Sequence, residues 1–143
     1  TVPRSVTALA EEIAGCLSDW RLDALAALHR IPCAFEAHGR LEVFCRRPDL
    51  AAAVRRWRTE TWARGVRRIS ARVVAQDLGR SGRCRAWVES THHRADGSAE
   101  DGGTDLLYLA RDPGGALCVE MIDFLSLPAA EETEREAALS AAG

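Results

Sequence analysis

Between Arg67 and Leu125 the chain carries four long alternating or apolar runs, separated by three groups of turn-forming residues. No other feature narrows the possible folds as much. In residues 67–78, Ile69, Ala71, Val73 and Ala75 fall on one side of an extended chain, and Arg68, Ser70, Arg72 and Gln76 on the other. A period of two over such a length specifies a half-buried strand. Gly79-Arg80-Ser81-Gly82 predicts a tight turn, and residues 84–93 a second strand. Residues 95–103 contain Asp96-Gly97 and Gly102-Gly103, both turn dipeptides, and read as a longer connection. Residues 104–111 are the third expected strand, Asp112-Pro113-Gly114-Gly115 a turn, and residues 117–125 the fourth.

Turn positions decide which side chains share a face. A turn centred on Arg80-Ser81 pairs Val73 with Val88 and Ile69 with His92. One centred on Pro113-Gly114 pairs Tyr108 with Val119, and centring the middle connection on Ala99 puts Ser90 near Tyr108. The expected concave face then holds Ile69, Val73, Ala86, Val88, Leu106, Ala110, Leu117, Val119 and Met121, with Ser90, His92, Thr104, Tyr108 and Asp123 as its polar members. The opposite face holds Arg85, Trp87, Glu89, Leu107, Leu109, Glu120, Ile122 and Phe124. A slip of one residue would exchange the faces of a strand.

Ahead of the sheet, Ser5 can cap a helix with the stripe Val6, Leu9, Ile13, Leu17 and Trp20. A second helix over residues 21–29 ends at Pro32, followed by a short hairpin, residues 33–37 and 41–45, about His38-Gly39-Arg40. Pro48 suits the first turn of a third helix with Leu50, Val54, Trp57 and Thr61 on its stripe, closed by Gly65. The expected architecture is α+β: a cone-shaped, curved, mainly antiparallel sheet, made of a four-strand meander and a short hairpin, wrapped over three N-terminal helices. Residues 1–128 form this single domain, and residues 129–143 an Ala/Glu-rich polar tail expected to fray.

At 143 residues the chain can bury a sizeable core. All nineteen basic residues are Arg, and the net charge of −2 argues against a nucleic-acid binder. The local run Arg55, Arg56, Arg58, Arg64, Arg67, Arg68 and Arg72 reads as a solvated helix end and sheet edge. Five scattered Cys (16, 33, 45, 84 and 118) without a C-x-x-C pair read as reduced core thiols of a cytoplasmic protein. No apolar run reaches membrane length, so no membrane is expected as a partner. Neither a metal-ligand spacing nor a cofactor motif is present, and none is expected.

The element order, together with Leu28-His29-Arg30-Ile31-Pro32, Arg64-Gly65-Val66, Arg85-Ala86-Trp87-Val88 with Asp96-Gly97, and Tyr108-Leu109-Ala110-Arg111, resembles the nuclear-transport-factor-2-like superfamily and its polyketide-cyclase-like (SnoaL-like) branch over residues 5–128. The resemblance implies a concave pocket of the kind that hosts cofactor-free isomerases, cyclases and dehydratases, and equally proteins that only bind or assemble. The only Tyr, Tyr108, is on a strand and not on the first helix, where a ketosteroid-isomerase-like site needs its donor.

The expected function is binding of a small apolar or aromatic molecule in a largely apolar pocket, with or without catalysis. The alternative is a non-catalytic module binding a ligand or a protein. The candidate catalytic residues are His92, Asp123 and Tyr108: a His beside a carboxylate for acid–base work, and a phenol to donate to a carbonyl. A satisfied structural His92–Asp123 pair and a packed Tyr108 are the competing readings. Trp20, Trp57, Trp62, Ser90, Met121, Glu36 and His38 are candidate ligand-binding residues. Trp87, Leu107, Leu109, Ile122 and Phe124, rimmed by Arg85, Glu89 and Glu120, read as a homodimer surface.

Overall fold

The computed structural model describes residues 2–77, 79–128 and Glu131. Three helices, α1 (Val6–Ser18), α2 (Leu22–Ala27) and α3 (Arg47–Ala63), accompany strands β1 (His29–Ala37), β2 (Arg40–Phe44), β3 (Val66–Gln76), β4 (Arg83–Arg94), β5 (Ala99–Arg111) and β6 (Leu117–Ser126). The strands form one sheet in the order β2-β1-β6-β5-β4-β3, antiparallel except for the parallel pair β1–β6. The expected α+β architecture is therefore present. Most of the expected tail, residues 129–143, lies outside the described residues.

Local chemistry explains the helix ends. The Ser5 hydroxyl accepts from the Ala8 amide at 3.1 Å and caps α1. Pro48 sits in the first turn of α3. Gly65, at φ +93°, turns the chain out of α3, its amide donating to the Trp62 carbonyl. Trp20 falls beyond α1, at φ 59°, and α2 is shorter than expected because β1 already begins at His29.

The core lies between α1 and the inner face of the sheet. Leu9 and Ala10 pack with Ala86, Val88, Leu107, Leu109, Leu117, Val119 and Ile122. A second cluster joins α2, α3 and β1 through Leu22, Leu25, Cys33, Phe44 and Leu50. The Ser18 hydroxyl at the end of α1 accepts from the Ile69 amide at 2.9 Å and donates to its carbonyl at 3.0 Å. One side chain thus occupies the open edge of β3, where a further strand would otherwise pair. Cys16 and Cys33 are buried, whereas Cys45 is exposed, contrary to the expectation of core thiols.

Three features change the expected register. The middle connection closes at Asp96-Gly97, where the Arg94 amide donates to the Ser98 carbonyl at 2.8 Å, so β5 starts at Ala99. Gly102-Gly103 is not a turn. It is a bulge inside β5: Glu89 pairs with Thr104 and Thr91 with Asp101, and Gly103 adopts φ +95°. A second bulge leaves Glu120 as the extra residue of β6, since Leu109 pairs with Val119 but Tyr108 with Met121.

The consequences for the two faces are specific. The β3–β4 pairs Val73–Val88 and Ile69–His92 form as expected, but a bulge after Val73 pairs Ala75 with Trp87 and turns Ala75 to the outer face, contrary to the expected alternation. Along β5 the faces are exchanged: Asp105, Leu107 and Leu109 point inward, and Leu106 and Tyr108 outward. On β6, Leu117 and Val119 keep their expected inward side, and the bulge at Glu120 then turns Ile122 and Phe124 inward and Met121 and Asp123 outward. Leu107, Leu109 and Ile122 are consequently buried in the core, with half-buried Phe124 packed against it, so the expected patch does not face outward. Of the expected apolar dimer patch only Trp87 stays on the outer face, half-buried, opposite Leu106.

Candidate functional site

The register separates the expected catalytic residues. His92 lies on the inner face, paired with Ile69 and Glu100. Asp123 and Tyr108 lie on the outer face, paired with Leu106 and Met121 respectively, so neither meets His92. Among the expected ligand-binding residues, Ser90 pairs with Ala71 on the inner face and Trp57 packs edge-to-face on His92 at 5.8 Å. Met121 faces outward beside Ala34, and Glu36 lies in outward register with Asp123. His38 occupies the β1–β2 turn at φ 52°. Trp20 and Trp62 pack edge-to-face at 6.0 Å, and their rings lie 5.1 and 5.5 Å from the Arg58 guanidinium carbon.

Arg58 corrects the reading of the arginine run as solvated. It is completely buried and donates to the carbonyls of Leu17 (2.8 Å), Val66 (3.1 Å) and Arg67 (3.4 Å) and to Thr61 Oγ1 (3.1 Å). It thereby ties the end of α1 to α3 and to the start of β3. Burial holds its pKa below the usual arginine value.

The inner face carries a carboxyl that the expected register had turned outward. Asp105 pairs with Val88 on one side and Phe124 on the other, with Leu107 two residues along. It keeps some accessible surface, yet protein surrounds it on most sides, and no described residue donates a hydrogen bond to its side chain. Lost hydration first, and the nearby Glu131 charge second, push the carboxyl up to about 7. Glu131 is itself held by the Trp57 indole N–H at 2.8 Å and by Arg64 Nη2 at 3.5 Å.

His92 and Glu100 form a second polar group on the same face. His92 is 1% exposed, and burial, opposed by Glu100 and reinforced by Arg64, Arg58 and Arg94, pushes it below the ordinary histidine value. The imidazole is therefore neutral at neutral pH. Its Nδ1 lies 3.9 Å from Glu100 Oε1, while Arg94 pairs with Glu100 Oε2. Room for the ring comes from Gly102, where a Cβ would lie 2.6 and 2.7 Å from His92 Cδ2 and Nε2. Gly102→Ala is accordingly expected to displace the imidazole and cost about 1–3 kcal/mol. Urea denaturation, with the His92 ring resonances followed by NMR, checks both effects.

Sequence reasoning missed Asp105 and Glu100 because residues 95–103 were read as one loop. The available signal was Asp96-Gly97, a strong hairpin dipeptide. Closing the hairpin there sets Glu100 opposite His92, and the bulge at Gly102-Gly103 then sets Asp105 opposite Val88. Among the described residues, no group of three or more His, Cys, Asp or Glu side chains could hold a metal, and no helix is long and apolar enough to cross a membrane.

An open mixed sheet covered on one face by helices is the NTF2-like, cystatin-like α+β fold. Solved structures agree. ActVI-ORFA from Streptomyces coelicolor superposes with a TM-score of 0.63 at 16% identity, over 82% of this chain and 88% of its own. A domain of unknown function with a cystatin-like fold from Nostoc punctiforme gives 0.66 at 13% identity, over 92% and 82%. An NTF2-like protein with a cystatin-like fold from Novosphingobium aromaticivorans gives 0.62 at 14%, over 90% and 84%. No protein-family model matches the chain, and no curated protein matches its sequence.

Proposed function

We propose that this protein is a cofactor-free acid–base enzyme acting on a small apolar molecule, with Asp105 as the group that moves the proton. The observation that carries this reading is the Asp105 carboxyl on the inner face between Val88 and Phe124, without a described donor. A carboxyl titrating at about 7 is present as base and as acid in comparable amounts at neutral pH. The carboxylate can take a proton from a carbon next to a carbonyl, leaving an enol or enolate. The acid so formed returns the proton at the same or another atom. Isomerisation, cyclisation and dehydration all contain such a step. The apolar neighbours keep water from competing for the proton.

The test uses 2-tetralone in deuterium oxide, with exchange of its C1 hydrogens followed by NMR. Wild type is expected to accelerate exchange over buffer, and Asp105→Asn to remove the acceleration. Equal rates with and without wild-type protein would instead favour a module that only binds.

We also propose that a second copy of this chain covers the outer face. Leu41 and Val43 are 61% and 52% exposed there, beside half-buried Ala34, Met121, Tyr108 and Trp87. A groove of about 910 Å³ runs over Tyr108 and Met121 between Pro32 and Arg83. Glu36 and Asp123 are neighbours at one end, and neither bonds to a described residue. Arg80, Arg83 and Arg85 lie toward the other end. A two-fold axis near Tyr108 and Met121 sets the acids of each copy against the arginines of its partner. Sedimentation at micromolar concentration is expected to give twice the chain mass, and Met121→Arg to give a monomer. A monomeric wild type refutes the arrangement.

A further inference from the structure

The geometry points to a hydroxyl-binding subsite between His92 and Glu100; this deepens the proposed function by giving the ligand of the Asp105 site a second, polar point of attachment. His92 Nδ1 and Glu100 Oε1 face each other across 3.9 Å. Both atoms are buried, and neither has a hydrogen-bond partner among the described residues. The separation is too long for a hydrogen bond between them. Buried polar atoms left this way are costly. The surrounding structure nevertheless holds both in place: Gly102 and Trp57 lie against the imidazole, and Arg94 anchors the other Glu100 oxygen.

The chemistry of the two atoms selects the missing group. Glu100 Oε1 accepts only, as an ionised carboxylate paired with Arg94. His92 is neutral and, with its proton on Nδ1, donates. A single oxygen about 2.8 Å from each atom makes an angle of roughly 90° with them, which a hydroxyl tolerates. A hydroxyl accepts from His92 and donates to Glu100 through one atom. A carbonyl or ether accepts but cannot satisfy Glu100. A carboxylate is repelled by Glu100, and an ammonium cannot accept from His92. The ligand class is therefore an uncharged alcohol, phenol or enol with an apolar body.

His92 and Ser90 are successive inward positions along β4, and Asp105 lies opposite the next, Val88. His92 and Val88 are four residues apart, about 13 Å along a strand. The hydroxyl and the reacting carbon thus belong to opposite ends of the ligand. His92 and Glu100 are positioning residues in this scheme, and Asp105 is the catalytic one.

Phenol and anisole test the assignment, because they differ in the hydroxyl hydrogen. Binding is measured calorimetrically on the whole chain, with the His92 imidazole nitrogens followed by NMR. Phenol is expected to bind about tenfold tighter than anisole or more and to shift His92 Nδ1. His92→Phe and Glu100→Leu should each bring the two probes within about threefold; two variants guard against a packing fault in either. Equal binding of both probes to wild type overturns the subsite. So does a phenol preference that survives in both variants, or a bound water only, seen as no saturable phenol effect on His92. A phenol preference without tetralone exchange would leave the subsite standing and remove the acid–base reading. Exchange without a phenol preference would do the reverse.

Discussion

Asp105→Asn is expected to yield a protein that is more stable above neutral pH and inactive in proton exchange. Both effects have one cause. The folded protein holds the Asp105 carboxyl at about 7, while in the unfolded chain it titrates at about 4. Below the unfolded value both states are protonated, and the residue contributes no pH-dependent penalty. Between about pH 4 and pH 7 the unfolded state releases its proton first, so wild-type stability falls as the pH rises. Above about pH 7 the penalty is complete. Asparagine has no charge to desolvate, so the variant escapes it. A gain on the order of 4 kcal/mol at pH 8, vanishing near pH 4, is the expected result. Urea unfolding at the two pH values measures it. A carboxyl that weakens the fold yet is required for turnover is the relation expected of a functional group and not of a packing one. A variant less stable than wild type at pH 8 would place Asp105 among the structural residues.

Arg58→Met is expected to produce the largest loss of stability of any single substitution considered. Methionine fills much of the same volume but donates nothing, and the carbonyls of Leu17, Val66 and Arg67 then lose their shared donor. Each buried acceptor left unmade costs about 1–3 kcal/mol, so a total of about 3–5 kcal/mol is expected. Set against a typical domain stability of about 5–15 kcal/mol, that is a large share. Thermal melting should fall by about 10 °C or more. Arg58→Lys should recover only part of this, because one ammonium cannot reach three carbonyls that a planar fork reaches together. A melting temperature within about 2 °C of wild type for Arg58→Met would mean that the carbonyls find other donors.

Local signals placed most of the elements. The alternation from Ile69 to Val73, the Ser5 cap, Pro48 and Gly65 each act over a few residues, and each appears where its chemistry requires it. Pairing across the β3–β4 turn was equally local, and it put His92 on the inner face. Faces further along the meander depended on residues that break the alternation. Gly102-Gly103 satisfies a turn rule and a bulge rule equally well in sequence. The competition was decided by Asp96-Gly97 closing first, which left the glycines inside a strand. Nothing in the local chemistry of Glu120 marks it as an extra residue. The bulge there lets Leu117 and Val119, and then Ile122 and Phe124, all reach the same core.

What the sequence by itself determined is the α+β architecture, the order of its elements and the inward side of β3 and β4, because short-range periodicity and turn chemistry specify these. The tertiary structure decided that Asp105 and Glu100, and not Asp123 and Tyr108, share the inner face with His92, and that Arg58 is buried. The physical reason is that a strand's face depends on the cumulative register of every turn and bulge before it, so one extra residue reverses all that follow. A buried arginine likewise becomes recognisable only when carbonyls from α1 and from the start of β3 converge on it.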